Sequence, residues 1–480
     1  MAIMFIGQVS VSAQASGLHA RIDERIELAG VCRYIAGERN LCMCEPKEYV
    51  EDIEEYFAPY KNHPLIGFLK GKKNSLPAAA TLVSAMMTEI DGGYVRVNDD
   101  CNVESKELLY TVWDRRSHDE YMRLLDDFYR KSRFRRFYER HKAMYEDVVA
   151  TFDKMYDIDT GWFEDTYGVP FVTISVFINM TGGFNSYELP FTGDAVIGGF
   201  FYCIGKNTGN LSMARRSCLM TGDAKRIIVK AITRELLSDD IKCGGEAVAY
   251  IEKVAAAMDG FMPCTASSMG VEEMWREWVV RLGSILYFQE NRPEYMPDTL
   301  TYLWCVNKMV RKDADEGFIW QFRSVDFLRH YQADRGTYRT FADFLPQLEG
   351  HLGFVAENMI DVKMEYENRH PYVTDVYPAP YTELDLSSDS VTVVFTFSEA
   401  METQGYGFGL LCRDEGYFDR LGCGDNVYRA FWADEKRFAV NVKSEDVKNA
   451  GIYGIKISKD AVHDIFLYPM VNDFAVEWKP

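Results

Sequence analysis

Eight histidines are spread over the 480 residues; no two stand four residues apart, and none directly precedes a glutamate. Two imidazoles one helical turn apart, with a glutamate beside them, are what a zinc-hydrolase helix uses to hold metal and base together. A site of that standard form is therefore excluded. Ser217 and Ser238 are hydroxyl nucleophile candidates, but no histidine base lies near either in sequence. Asp239-Asp240 suits a hard cation and, more simply, a helix end. His63, ahead of Pro64, is expected to be a structural hydrogen-bonding residue. Gly182-Gly183 and Gly244-Gly245 do not continue as nucleotide fingerprints. Of eleven cysteines, Cys42 and Cys44 form a Cys-x-Cys, and no CxxC pair has zinc-ribbon spacing. Cys203 and Cys305 lie in apolar runs and read as core residues.

The elements that would carry these groups follow from periodicity. From Arg21 to about Met155 the pattern is mostly helical, with Ile26, Cys32 and Ile35 on one stripe and Tyr49, Ile53, Tyr56 and Phe57 on another. Residues 172–178 alternate like a strand, and Gly182-Gly183-Phe184 reads as a turn before further strands. Helical spacing resumes over 226–238, 246–258 and 272–288. An α+β fold is predicted, a mixed sheet with helices. The tail from 370 to 480 is a separate all-β module: His370-Pro371 and Pro378 suit a linker and an edge strand. Period-two runs follow at 391–397, 437–442, 452–457 and 474–478, the spacing of a β-sandwich.

Charge is one-sided, with 53 Lys and Arg against 73 Asp and Glu and a net of -20. Such a surface repels nucleic acid and anionic membranes. The one basic stretch, Arg130 to Tyr138, interleaves cations with aromatics, but it lies in a helical pattern rich in acids and is expected to be a solvated face. No run approaches the ~18 apolar residues of a membrane span. At the start, Met1 to Gly7 is apolar and Ala13-Gln14-Ala15 looks like a signal-peptidase site, although a basic segment is missing. Residues 1–15 read as a truncated signal peptide, with a buried strand as the alternative; export to a periplasm or cell surface is expected, where disulfides are permitted.

Several segments, in order, resemble a secreted bacterial family of unknown function similar to gluzincin-type metallopeptidases. They are Arg21-Ile22-Asp23-Glu24-Arg25-Ile26-Glu27-Leu28, then Tyr49…Tyr56-Phe57…Lys61-Asn62-His63-Pro64, and then Glu277-Trp278-Val279-Val280-Arg281. Phe395-Thr396-Phe397-Ser398-Glu399-Ala400-Met401 resembles a segment of bacterial Ig-like modules, which act as spacers or docking surfaces. The resemblance implies a zincin-like domain over 16–366 and an Ig-like sandwich over 370–480. It also places Arg234-Glu235-Leu236-Leu237-Ser238 where such a peptidase carries His-Glu-x-x-His. Glu235 would then be a relict general base, Arg234 and Ser238 would stand at the two imidazole positions, and Glu277, followed by Arg281, at the third ligand. An arginine stays protonated and a serine hydroxyl is a poor ligand, so zinc, expected for the family, has no ligand set here.

Two readings of Arg234 follow. It either forms a bidentate pair with Glu277 or Glu235 in the metal's electrostatic place, or it faces solvent on an ordinary helix. The functional expectation is a metal-free scaffold that binds a peptide or protein, with an edge strand beside the cleft. The alternative is an active hydrolase with its site elsewhere.

Overall fold

The computed structural model describes residues 18–38, 46–72, 75–98, 109–110, 112–156, 158–171, 173–183, 185–189, 194–199, 201–202, 211–237, 242–261, 269–291, 299–403, 407–414, 428–465 and 468–479. The chain is mixed α/β with several small sheets. It opens with β1 (Leu18–Arg21), α1 (Glu24–Ile35), α2 (Lys47–Tyr56), α3 (Pro64–Lys72), α4 (Ala78–Met86) and the strands β2 (Thr88–Asp91) and β3 (Tyr94–Val97). Next come α5 (Arg115–Ser132), α6 (Phe134–Arg140), α7 (Lys142–Met155) and α8 (Thr160–Tyr167). The middle holds β4 (Ile174–Asn179), β5 (Tyr187–Leu189), β6 (Asp194–Gly198), α9 (Leu211–Leu236), α10 (Gly245–Met258) and α11 (Val271–Glu290). Helices α12 (Thr299–Asp315), α13 (Gln321–Ala333), α14 (Phe341–Glu357) and α15 (Met359–Asn368) lead to the tail. There lie β7 (Val373–Tyr377), β8 (Ser390–Phe397), β9 (Gly409–Cys412), β10 (Tyr428–Trp432), β11 (Arg437–Lys443), α16 (Ser444–Ala450), β12 (Ile452–Ile457) and β13 (Phe474–Glu477). No helix among the described residues is long and apolar enough to cross a membrane.

Two compact units divide the chain: Met1–Gly244 with Glu272–Cys305 and Phe327–Leu348, and Gly245–Val271 with Val306–Asp326 and Glu349–Pro480. The second therefore takes in helical segments before residue 370 as well as the tail. The expected 1–15 segment, and with it Ala13-Gln14-Ala15, lies outside the described residues, as do Cys42, Cys44 and Cys203.

In the first unit a four-stranded sheet has the order β1-β4-β6-β5. β1, β4 and β6 run parallel, and β5 pairs antiparallel with β6 at the edge. Alternation is lost in β4, where Phe177, Ile178 and Asn179 are all buried, as expected of a strand covered on both faces. Asp23 caps α1 by accepting from the Arg25 N–H at 3.0 Å. The buried Glu27 carboxylate accepts from the Tyr49 hydroxyl at 2.6 Å and from the Met180 N–H at 3.1 Å, tying α1 to α2 and to the end of β4. His63 is structural: its Nδ1 accepts from the Leu65 N–H at 3.2 Å, so its Nε2 carries the proton toward Asp127, 3.1 Å away. The basic stretch is a solvated face with i,i+4 partners, Arg130 to Asp126, Lys131 to Asp127 and Arg135 to Glu139.

In the second unit β7, β8, β11 and β10 form an antiparallel sheet in the order β10-β11-β8-β7, and β13-β12-β9 form another. Val393, Phe395, Phe438, Val440, Ile455, Ile457 and Trp478, from both sheets, share one apolar cluster.

One close approach sets the spacing of α1 on β4. A Cβ on Gly30 would lie 2.3 Å from Thr181 Oγ1 and 2.5 Å from Asn179 Oδ1, and those two buried side chains bond each other at 3.0 Å. Alanine gains ~1 kcal/mol over glycine in an open helix interior, whereas overpacking a tight core costs ~1–3 kcal/mol. The second effect should win. Gly30→Ala is expected to lower the urea midpoint at unchanged slope, and a raised midpoint would show that the Asn179–Thr181 pair moves aside freely.

Candidate functional site

Helix α11 is buried almost continuously from Met274 to Phe288, so a charged side chain on it must find partners inside the protein. Glu277 and Arg281 are such residues, one turn apart, and Arg281 Nε donates to Glu277 Oε1 at 2.7 Å. Helix α9 presents Lys230 and Arg234, also one turn apart, to the same carboxylate. Lys230 Nζ donates to Glu277 Oε1 at 2.7 Å, and Arg234 Nη2 to Glu277 Oε2 at 2.5 Å. From the edge strand β5, Glu188 completes the group by accepting from Arg234 Nε, with Lys230 Nζ 3.4 Å away. Three cations thus meet two carboxylates, and every side chain in the group is at most 19% exposed.

The two helices approach closely because α11 carries Gly283 where they meet. A Cβ there would lie 2.8 Å from Thr233 Cγ2 and 2.7 Å from the Tyr167 hydroxyl. Arg226 Nε donates to Ser284 Oγ at 3.2 Å along the same contact. The Arg234 guanidinium is therefore held as a fork between two carboxylates from different elements, a geometry that a lysine cannot reproduce.

Electrostatics inside the group are decided by competition. Burial alone would raise the Glu277 carboxyl, but Lys230, Arg281 and Arg234 outweigh it and hold the acid well below the usual carboxylate range. Burial would lower Arg234, and Glu188 and Glu277 reverse that and raise it. Both residues are thus fixed in their charged forms.

Arg234, Glu277 and Arg281 come together, and Arg234 bridges Glu277 and Glu188 rather than forming one two-pronged pair. Glu235 is exposed and stands outside the group. Ser238, Asp239 and Asp240 lie outside the described residues. Glu188 and Lys230 were not anticipated. The i,i+4 pattern Lys230/Arg234, matched against Glu277/Arg281, was the available signal for Lys230; nothing around Glu188 marks it.

A divalent metal does not fit this set. The two carboxylates are already engaged by three fixed cations, which would repel the ion. Among the described residues no group of three or more His, Cys, Asp or Glu side chains converges as a ligand set. The chain matches no family model, no curated protein and no solved structure.

Removing one partner from a buried ionic group costs ~3–5 kcal/mol because its neighbours are left uncompensated. Glu277→Gln is expected to lose stability on that scale at pH 7, whereas the exposed Glu235→Gln should change it by less than ~0.5 kcal/mol. The folded-state acid at 277 lies below its unfolded value, so its contribution is complete above the unfolded pKa and is lost as pH falls below it. Wild type should accordingly lose melting temperature more steeply than Glu277→Gln below about pH 4.5. Parallel pH profiles would refute the assignment.

Proposed function

We propose that the protein is an exported, metallopeptidase-like scaffold in which an ionic group stands in the place of a metal, and that it binds an extended peptide or protein segment instead of cleaving it. One observation carries this reading: Arg234 joins β5, α9 and α11 through Glu188 and Glu277. The resemblance assigns α9 and α11 to the metal-site helix and the distal-carboxylate helix of a gluzincin, and β5 is an edge strand beside them. In such an enzyme the metal would polarise the scissile carbonyl and acidify its water while the glutamate takes the proton. Here Arg234 is permanently protonated and Glu235 points elsewhere, so the cross-link is kept and the chemistry is absent.

The sheet order supports the reading. Three parallel strands end in an antiparallel edge strand, β5, and an edge strand is a place where an extended chain adds by backbone hydrogen bonding. The two antiparallel sheets of the second unit fit an Ig-like module, which adds a spacer or docking surface. Net charge of -20 keeps nucleic acid out of the list of partners.

Protein purified without chelator and dialysed against micromolar zinc is expected to retain less than about a tenth of an equivalent by elemental mass spectrometry. Under the same conditions it should bind β-casein, a largely unfolded chain, without cutting it. Arg234→Ala should lower the melting temperature, and Arg234→Lys should restore only part of it. About one equivalent of zinc surviving dialysis, or casein cleavage, would overturn the proposal.

A further inference from the structure

The sheet of the first unit has a second edge, β1, opposite β5. β1 pairs only with β4, and among the described residues nothing bonds the outward backbone groups of residues 18–21. Beside it lies a cavity of about 550 Å³, and all the residues that line it are described. Ala20, Arg21 and Ile22 all line it. Successive side chains of a strand point to opposite faces, so a cavity touched by three in a row follows the edge of the strand. Tyr145, Val149 and Ala150 of α7 form the facing wall, with Tyr138 from the end of α6. The Tyr138 hydroxyl donates to the Ile22 carbonyl at 2.7 Å, which fixes the start of α7 beside the end of β1. The helix then runs back along the strand, with Lys142 at the Ile22 end and Asp153 at the other.

Much of the charge around the cavity is already engaged. Arg21 lies 3.9 Å from Asp23 and 4.7 Å from the centre of the Phe177 ring. Arg135 donates to Glu139 at 3.0 Å, and Glu24 accepts from the Tyr129 hydroxyl at 2.8 Å. The side chains of Lys142, Glu146 and Asp153 are exposed and have no ion-pair or hydrogen-bond partner among the described residues. The groove therefore has a polarity, with an unengaged cation at the start of α7 and unengaged carboxylates along the rest.

We infer that this groove takes a short peptide with free ends, added parallel to β1. A slot between an edge strand and a helix suits an extended chain, which pairs with the strand through its backbone. In the parallel direction the peptide's ammonium end meets Glu146 and Asp153, and its carboxylate meets Lys142. From Lys142 to Asp153 the helix rises ~16 Å at ~1.5 Å per residue, which an extended peptide spans in about five residues at ~3.3 Å each. A ligand of one charge sign would be repelled at one end, and an uncharged one would use neither. Backbone pairing fixes the middle whatever the side chains, so the end charges select length and direction. The groove shares no residue with the ionic group, and a failure here leaves the casein result at β5 untouched.

The test is isothermal titration calorimetry of the full chain with Ala-Val-Thr-Val-Ala and Ala-Phe-Thr-Leu-Ala, each with free ends. At least one should saturate the protein below ~1 mM. Acetylating or amidating that peptide should each weaken binding about threefold to fivefold, the scale of one exposed charge pair. Lys142→Ala should weaken the free peptide by the same factor and leave the amidated one unchanged. Glu146→Gln combined with Asp153→Asn should do likewise for the free and the acetylated peptide. All three side chains are exposed, so melting temperatures should be unaltered. N-methylation of peptide positions two and four, or of three and five, should abolish binding in one pattern only, because alternate residues face the strand. Failure of both peptides to bind overturns the proposal. So does capped binding equal to free, or a Lys142→Ala loss as large for the amidated peptide as for the free one. Equal tolerance of both methylation patterns would remove the strand pairing on which it stands.

Discussion

Helix α11 is apolar nearly all round yet carries Glu277 and Arg281 in its buried stretch. A carboxylate cannot remain ionised there unless cations are brought to it, and Arg281 alone, one turn along the same helix, leaves an oxygen unsatisfied. The sequence of α9 supplies Lys230 and Arg234, but they reach only if the two helices approach closely, which Gly283 and Thr233 permit. Arg234, once buried, needs a second carboxylate, and this brings in Glu188 from β5. The position of the edge strand and the helix crossing thus descend from one buried charge.

A second buried carboxylate is handled differently. Glu27 receives neutral donors, the Tyr49 hydroxyl and the Met180 N–H, with the Tyr145 hydroxyl 2.9 Å behind Tyr49. Neutral donors fix direction without long-range attraction, which suits a residue that seats one helix on the end of a strand. Cations attract from any approach and hold several elements at once, which suits the place where two helices and an edge strand converge. Stability in this unit is therefore divided between a part that acid weakens and a part that depends on packing at Gly30.

Where periodicity is strong, elements were legible. The tail runs at 391–397, 437–442 and 452–457 correspond to β8, β11 and β12 within a residue, and the helices at 246–258 and 272–288 correspond to α10 and α11 within two. The hairpin of β2 and β3 was passed over inside a helical reading, although Asp91-Gly92-Gly93 carried its signal and both glycines adopt positive φ. Within the site, α9 and α11 could be placed from order and spacing. Glu235 could not be excluded, since only the phase of the helix, about 100° per residue, decides that Arg234 faces inward and its neighbour outward. Glu188 was illegible because a three-residue strand has too little pattern to announce either its pairing or its burial.

The charge balance of the ionic group has an evolutionary side. With three cations shared between two carboxylates, replacing either carboxylate strands cations inside the protein, so a single step at Glu188 or Glu277 passes through a less stable intermediate. The positions are epistatically coupled, and descendants would change them in concert or keep them. An arrangement of this kind acts as a ratchet: once Arg234 has settled between Glu188 and Glu277, a route that removes those carboxylates would have to cross that valley by simultaneous substitutions.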